Sequence, residues 1–147
     1  MLNTRPSHHV FARTFSYLAS AAALIATASY AQTAPASLKT GEQVYQAICL
    51  SCHAQGVDNA PKFGDKKTWA PLIEEGQAVL TSHAWVGVRK MPPKGGQPDL
   101  SQEEFARAVA YMARAAGGNW QDPDATMLKK IREEEAQRLI DIKKGKD

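Results

Sequence analysis

The apolar residues of this chain recur at helical spacing, and no segment shows the alternation of a strand. The clearest helix begins after Ser101, which forms a capping box with Glu104. Its apolar positions continue until Gly117: Phe105, Ala108, Val109, Met112 and Ala116. The pattern predicts an all-α protein.

Three shorter helices are expected before this one. Thr40 and Gln43 form a capping box, which predicts a helix from about Gly41 to the cysteines. Two further helices are predicted over residues 67–75 and 77–85, on either side of Gly76. Prolines and glycines dominate residues 87–98, so that segment is expected to be a loop with neither helix nor strand.

Residues 119–147 form a charged extension that is also predicted to be helical. Asp122 and Pro123 suit the N-cap and first helical positions, and helix-forming residues follow. Glu135 interrupts an apolar stripe in this helix, made of Leu128, Ile131, Leu139 and Ile142. The alternatives are a solvated helix, a helix half docked through Trp120, and a stripe that binds a partner.

The N-terminal segment has the pattern of an export signal. Residues 1–31 carry Arg5 and Arg13 without any acid, then an Ala-rich apolar stretch and small residues up to Ala31. We expect a signal peptide over residues 1–31, a linker over residues 32–39 and a domain over residues 40–118. An uncleaved membrane anchor is the alternative, although the stretch is weakly apolar for a span. Cleavage would place the mature chain in the periplasm.

The net charge and the length of the domain limit the kinds of partner and cofactor to be expected. The formal net charge of the 147 residues is +3, and loss of the two leader arginines lowers it by two. Clustered basic residues interleaved with aromatic ones are missing from the sequence, so no nucleic-acid partner is expected. A domain of roughly 80 residues has a small core and benefits from a buried cofactor.

Cys49, Cys52 and His53 form the pattern C-x-x-C-H, which is typical of haem c attachment. Two thiols on one side of a helical turn can bond to the vinyl groups of a porphyrin, and the following imidazole can reach the iron. The alternatives are a dithiol redox pair and half of a zinc site. A dithiol pair would favour a βαβ context, and a zinc site would need more ligands.

Met91 is the favoured second axial ligand, because electron-transfer haems commonly take methionine or histidine there. It lies in the Pro/Gly-rich loop, and Pro92 and Pro93 follow it. His83 is the competitor, although it falls within a predicted helix. Met112 and Met127 occupy helix positions, where packing is the usual role.

The chain resembles the cytochrome c5 family of small class I c-type cytochromes. The resemblance rests on C-x-x-C-H and three segments that follow in order: NAPKFGDKKTWAPLI (59–73), MPPKGG (91–96) and DLSQEEFARAVAYM (99–112). It implies about four helices wrapped around one covalently bound haem.

The resemblance also implies roles for individual residues. Cys49 and Cys52 would form the thioethers, and His53 and Met91 would ligate the iron. The Pro61 carbonyl would accept a hydrogen bond from His53 Nδ1, the alternative being a simple turn proline.

The resemblance further places Gly41 and Tyr45 opposite Tyr111, where the terminal helices of the family cross. Some members carry a cysteine pair after MPPKGG. This chain has residues 97–100 (QPDL) there instead, and its extension beyond Gly118 has no counterpart in the family pattern.

The expected function is single-electron transfer between redox protein partners, without enzymatic activity, by a soluble or membrane-peripheral protein. Six basic residues are expected to border the haem and to steer a partner with an acidic docking face: Lys62, Lys66, Lys67, Arg89, Lys90 and Lys94. One alternative is a haem-based ligand sensor with Met91 off the iron. Another is a subunit of a larger oxidoreductase that binds through residues 119–147.

Overall fold

A computed structural model of the chain describes residues 37–146. The predicted signal peptide and its cleavage site lie outside this range. Among the described residues there is no strand, so the all-α prediction is confirmed. We number five helices: α1 over residues 41–53, α2 Lys66–Glu74, α3 Gln77–Val86, α4 Gln102–Ala115 and α5 Ala125–Lys143. None of the described helices is both long and apolar enough to cross a membrane.

Helix α1 consists of three consecutive segments, which are α-helical over Gly41–Val44, π-helical over Tyr45–Cys49 and α-helical over Leu50–His53. Its capping box is present. The Gln43 amide donates to Thr40 Oγ1 at 3.2 Å, and the Thr40 amide donates to Gln43 Oε1 at 2.9 Å. The helix therefore starts as predicted, and the cysteines lie near its C-terminal end at His53, also as predicted; its π segment was not predicted.

Helices α1 and α4 cross in close contact at Gly41. A Cβ atom added there would collide with the Arg107 carbonyl oxygen and would lie 2.9 Å from Tyr111 Cβ. Below the crossing, the Tyr45 and Tyr111 rings are 5.7 Å apart, and Phe63 stacks on Tyr45 at 4.5 Å. The predicted meeting of Gly41 and Tyr45 with Tyr111 is confirmed.

This crossing predicts a large effect for a small substitution. Gly41→Ala should destabilise the protein by about 1–3 kcal/mol, because the backbones of two helices must separate to admit one methyl group. Urea unfolding measures the change. Gln46→Ala, at an exposed position of the same helix, is the matched control and should be nearly neutral. Equal stabilities of the two variants would show that the crossing tolerates a side chain.

Helix α4 is the centre of the core and begins where the sequence predicts. The Glu104 amide donates to Ser101 Oγ at 3.2 Å, and Phe105 is 1% exposed. The Glu104 carboxylate also accepts hydrogen bonds from the Lys39 amide at 3.0 Å and from the Ser101 hydroxyl at 2.8 Å. These bonds hold the pKa of Glu104 below its ordinary value. Only half of the predicted capping box is therefore formed, because the Glu104 carboxylate binds the Ser101 hydroxyl and the Lys39 amide; through Lys39 it fixes the chain that enters α1.

Helix α5 begins two residues later than its predicted cap. Asp124 is the N-cap and accepts a hydrogen bond from the Met127 amide at 2.7 Å. Asp122 instead forms an ion pair with Arg114 at 3.0 Å. The prediction of Asp122 and Pro123 as the cap was wrong, because the ion pair with Arg114 at the end of α4 engages the Asp122 side chain.

Helix α5 packs against α3, so both belong to one compact unit. Ile131 is fully buried, and Glu135 accepts hydrogen bonds from Trp85 Nε1 at 3.1 Å and from Gln102 Nε2 at 2.7 Å. Glu135 therefore anchors the helix rather than interrupting its contact. The distal part of the stripe stays exposed at Leu139 and Ile142. A partner-binding role for this stripe stays a prediction, as does the boundary between the domain and the extension at residues 118 and 119.

Candidate functional site

The helices enclose a cavity of about 700 Å³. That volume lies within the ~300–1,000 Å³ typical of cofactor pockets. Its apolar walls come from α2, α3 and α4: Trp69, Leu72, Leu80, Ala84, Val109 and Met112. Four of the predicted site residues also line it: Cys52, His53, Pro61 and Met91.

His53 is the last residue of α1 and is 8% exposed. Its Nδ1 atom lies 2.8 Å from the Pro61 carbonyl oxygen, and its own carbonyl accepts a hydrogen bond from the Phe63 amide at 2.8 Å. A carbonyl can only accept, so Nδ1 carries the proton. This tautomer leaves the Nε2 lone pair available to a metal.

The two cysteines are free thiols that differ in exposure. Cys49 is buried, whereas Cys52 is exposed and lines the cavity. Burial raises the pKa of the Cys49 thiol to about 11. Thiol–disulfide exchange requires a thiolate, so this environment disfavours a dithiol redox pair. Residues 37–146 contain no group of three His, Cys, Asp or Glu side chains that could hold a metal such as zinc.

Met91 lies in a tight turn that closes one side of the cavity. The Val88 amide donates to the Met91 carbonyl at 3.1 Å, and the Met91 amide donates to the Val88 carbonyl at 2.9 Å. Arg89 reaches the left-handed region, at φ +54°, to make this turn. A 3₁₀ turn follows over Pro93–Gly96. The segment is therefore an ordered loop without a strand, as expected, but its short 3₁₀ turn was not expected; positive φ angles at Arg89, Lys94 and Gly95 allow one turn before Pro92 and one after it.

The second turn is tied to the core through Lys94. Its Nζ atom donates to the Pro98 carbonyl at 2.9 Å and lies 4.8 Å from the centre of the Trp85 ring. Trp85 is held in turn by Glu135 of α5. These contacts brace the loop beside residues 97–100, which contain no cysteine.

Other candidate residues divide into those at the cavity and those away from it. His83 does line the cavity, and its Nδ1 atom is 3.8 Å from Glu75 Oε2. Of the six basic residues expected at its border, Arg89 and Lys90 line it. Four are not among the lining residues: Lys62, Lys66, Lys67 and Lys94. Cys49 is also not among them.

Arg138 of α5 is a lining residue that the sequence analysis missed. Its position depends on how α5 docks, which local sequence does not specify. Glu135 was the available signal, because an acidic residue within an apolar stripe indicates a polar partner on the surface that the stripe contacts.

The residues at this cavity fit a haem c. An imidazole and a thioether facing an apolar cavity are a common pair of axial ligands in electron-transfer haems. Two thiols precede the imidazole at the spacing of the attachment motif. His53 and Met91 would hold the iron, and Cys49 and Cys52 would hold the porphyrin.

Comparisons with known proteins agree with this chemistry. The family model described as "Cytochrome C oxidase, cbb3-type, subunit III" matches residues 36–112. Cytochrome c-555 of Chlorobaculum thiosulfatiphilum is 42% identical over 76 residues, which cover 49% of this chain and 88% of the relative. Cytochrome c5 of Azotobacter vinelandii is 34% identical over 77 residues, which cover 51% and 93%.

A solved structure of a cytochrome c complex is also similar to this chain. It is described as an electron transfer complex of nitrite reductase with cytochrome c, and the matching chain is 45% identical with a TM-score of 0.50. The match covers 52% of this chain and 93% of that one. The chain therefore belongs to the c-type cytochromes, as a small class I member similar to cytochrome c5, with the family's all-α fold and its covalently bound haem c.

Proposed function

We propose that the protein is a periplasmic electron carrier with one haem, whose iron is ligated by His53 and Met91. The observation that carries this proposal is that both side chains line the same cavity. Each is also fixed by its surroundings, His53 by the Pro61 carbonyl and Met91 by its turn with Val88. Two fixed axial ligands suit a carrier whose iron geometry should change little between oxidation states.

The residues around the cofactor have separate roles. Haem supplies reversible one-electron chemistry when bound. Cys49 and Cys52 fix its position, and the Pro61 carbonyl raises the basicity of the His53 imidazole by accepting its Nδ1 proton. The apolar walls from α2 to α4 exclude water, which contributes to the reduction potential. In this proposed function, none of these residues forms or breaks a bond in a substrate.

The surface next to the attachment segment suits contact with a redox protein. Leu50 and Val57 are 39% and 47% exposed there, and Val57 also lines the cavity. Arg89 and Lys90 are exposed cations at the same cavity. A small apolar patch beside cations favours a partner with an acidic docking face. The solved relative in complex with nitrite reductase supports a redox enzyme as that partner.

Association with such a partner should slow as salt is added. Replacing both cavity cations, as Arg89→Gln with Lys90→Gln, should lower the association rate roughly threefold to tenfold at low ionic strength and flatten its salt dependence. Stopped-flow mixing with an acidic redox partner measures both. The matched control is Lys143→Gln with Lys144→Gln, which removes two exposed charges from the end of α5. Equal rates for both double variants would contradict the steering role.

Visible spectra of the mature protein in both redox states test the proposed ligation. A His/Met iron should show a sharp reduced spectrum, and the reduced protein should resist carbon monoxide, because both axial positions are filled. Rapid carbon monoxide binding by the unmodified protein would favour a ligand sensor instead.

Export is a separate part of the proposal and rests on the pattern of residues 1–31. Expression in a bacterium with an intact export system should yield a periplasmic protein whose N-terminus is Gln32. N-terminal sequencing of the fractionated protein decides this. A cytoplasmic protein that retains Met1 would contradict it.

A further inference from the structure

The C-terminal helix α5 contributes to the cofactor cavity, although the family match ends at residue 112. Ile131, Glu135 and Arg138 are spaced by four and three residues, so they share one face of the helix. Ile131 is fully buried and Glu135 binds Trp85, which fixes that face against the domain. Arg138 is half-buried, with its Nε atom inaccessible to solvent, and lines the cavity.

The other charged groups around the cavity are more open to water. Arg89, Lys90 and Asp58 are exposed. The Glu75 side chain is 40% exposed and lies beside His83. Among the described lining residues, Arg138 is therefore the permanent cation best shielded from solvent. A shielded guanidinium at a largely apolar wall is stabilised by an anion that it can meet there.

We propose that Arg138 binds a propionate carboxylate of the haem, and this inference rests on the cofactor proposed above. A guanidinium forms paired hydrogen bonds with a carboxylate more readily than an ammonium does. The contact would make α5 an integral part of the cofactor site rather than an appendage. A positive charge in this shielded position also disfavours the more positive, oxidised iron.

The test compares variants of the full-length, haem-loaded protein. Arg138→Gln should shift the equilibrium with a one-electron reference couple about three- to tenfold toward the oxidised protein, which is about 30–60 mV at 59 mV per tenfold. Arg138→Lys should have a reduction potential close to that of the unmodified protein, since lysine keeps the positive charge. The control is Arg132→Gln, an exposed arginine of the same helix, which should leave the equilibrium unchanged.

A second readout separates a direct bond from a general effect of charge. Infrared or resonance Raman bands of the propionate should shift in both Arg138 variants and not in Arg132→Gln. A folded Arg138→Gln protein with unchanged potential and propionate bands would overturn the inference while leaving the proposed function intact. If Arg138→Gln does not fold, unchanged bands in Arg138→Lys would have the same meaning. Absence of covalent haem from the unmodified protein would instead overturn the proposed function.

Discussion

Met91→Leu in the haem-loaded protein is expected to open one axial position of the iron. The reduced variant should bind carbon monoxide, and its potential should fall by on the order of 0.1 V, within the ~0.8 V range that axial ligands span. Visible spectroscopy with carbon monoxide and a redox titration measure the two effects. Apart from the other ligand, His53, no single side chain should change the iron chemistry as much.

The structure gives a reason to expect that this variant folds. Main-chain hydrogen bonds with Val88 hold the Met91 turn, and leucine has nearly the volume of methionine. Met112→Leu is the matched control, because Met112 is 3% exposed and lines the same cavity from α4. Only the Met91 variant should bind carbon monoxide. Resistance of Met91→Leu to carbon monoxide would point to His83 as the ligand, which His83→Gln would then test.

Removal of both attachment thiols should have the largest effect on stability. Cys49→Ala with Cys52→Ala should yield little folded protein, because the chain must then form its core without a retained cofactor. Without the haem, the apolar walls of a cavity of about 700 Å³ would face water, and shielding one large apolar side chain from water is worth about 1.5–3 kcal/mol. Domains are stabilised by only ~5–15 kcal/mol. Circular dichroism and protease resistance of the exported protein measure the loss.

The control for this prediction keeps both thiols. Leu50→Ala with Ser51→Ala changes the exposed residues between them and should leave haem content and folding nearly unchanged. A well-folded, protease-resistant protein without either thiol would show that the helices pack without covalent attachment. Covalent attachment of the cofactor would then not be required to form the core.

The helix starts that the sequence predicted correctly depend on local hydrogen bonds. Ser101 and Thr40 each bond to a residue three positions later, so the pattern and the contact lie within one turn. The cap of α5 was mispredicted because the choice between Asp122 and Asp124 depends on Arg114, which lies outside the segment. The π segment of α1 carries no recognised sequence signal.

The site also combines features that nearby residues determine with features that distant contacts determine. Cys49, Cys52 and His53 occupy adjacent turns of one helix, so their spacing alone predicts their chemistry. Met91 could be proposed from its ligand chemistry and its proline-flanked loop. Arg138 could not, because it reaches the cavity only when α5 docks on α3. That docking depends on contacts such as the bond from Trp85 to Glu135, which are 50 residues apart.

The most direct test of the account is the intact mass of the mature, exported protein, combined with its visible spectrum after denaturation. Covalent attachment predicts a mass that exceeds the polypeptide by one haem, and colour that stays with the protein after extraction with acidified organic solvent. A mature protein with the mass of the polypeptide alone, or one whose pigment is extracted completely, would contradict the account.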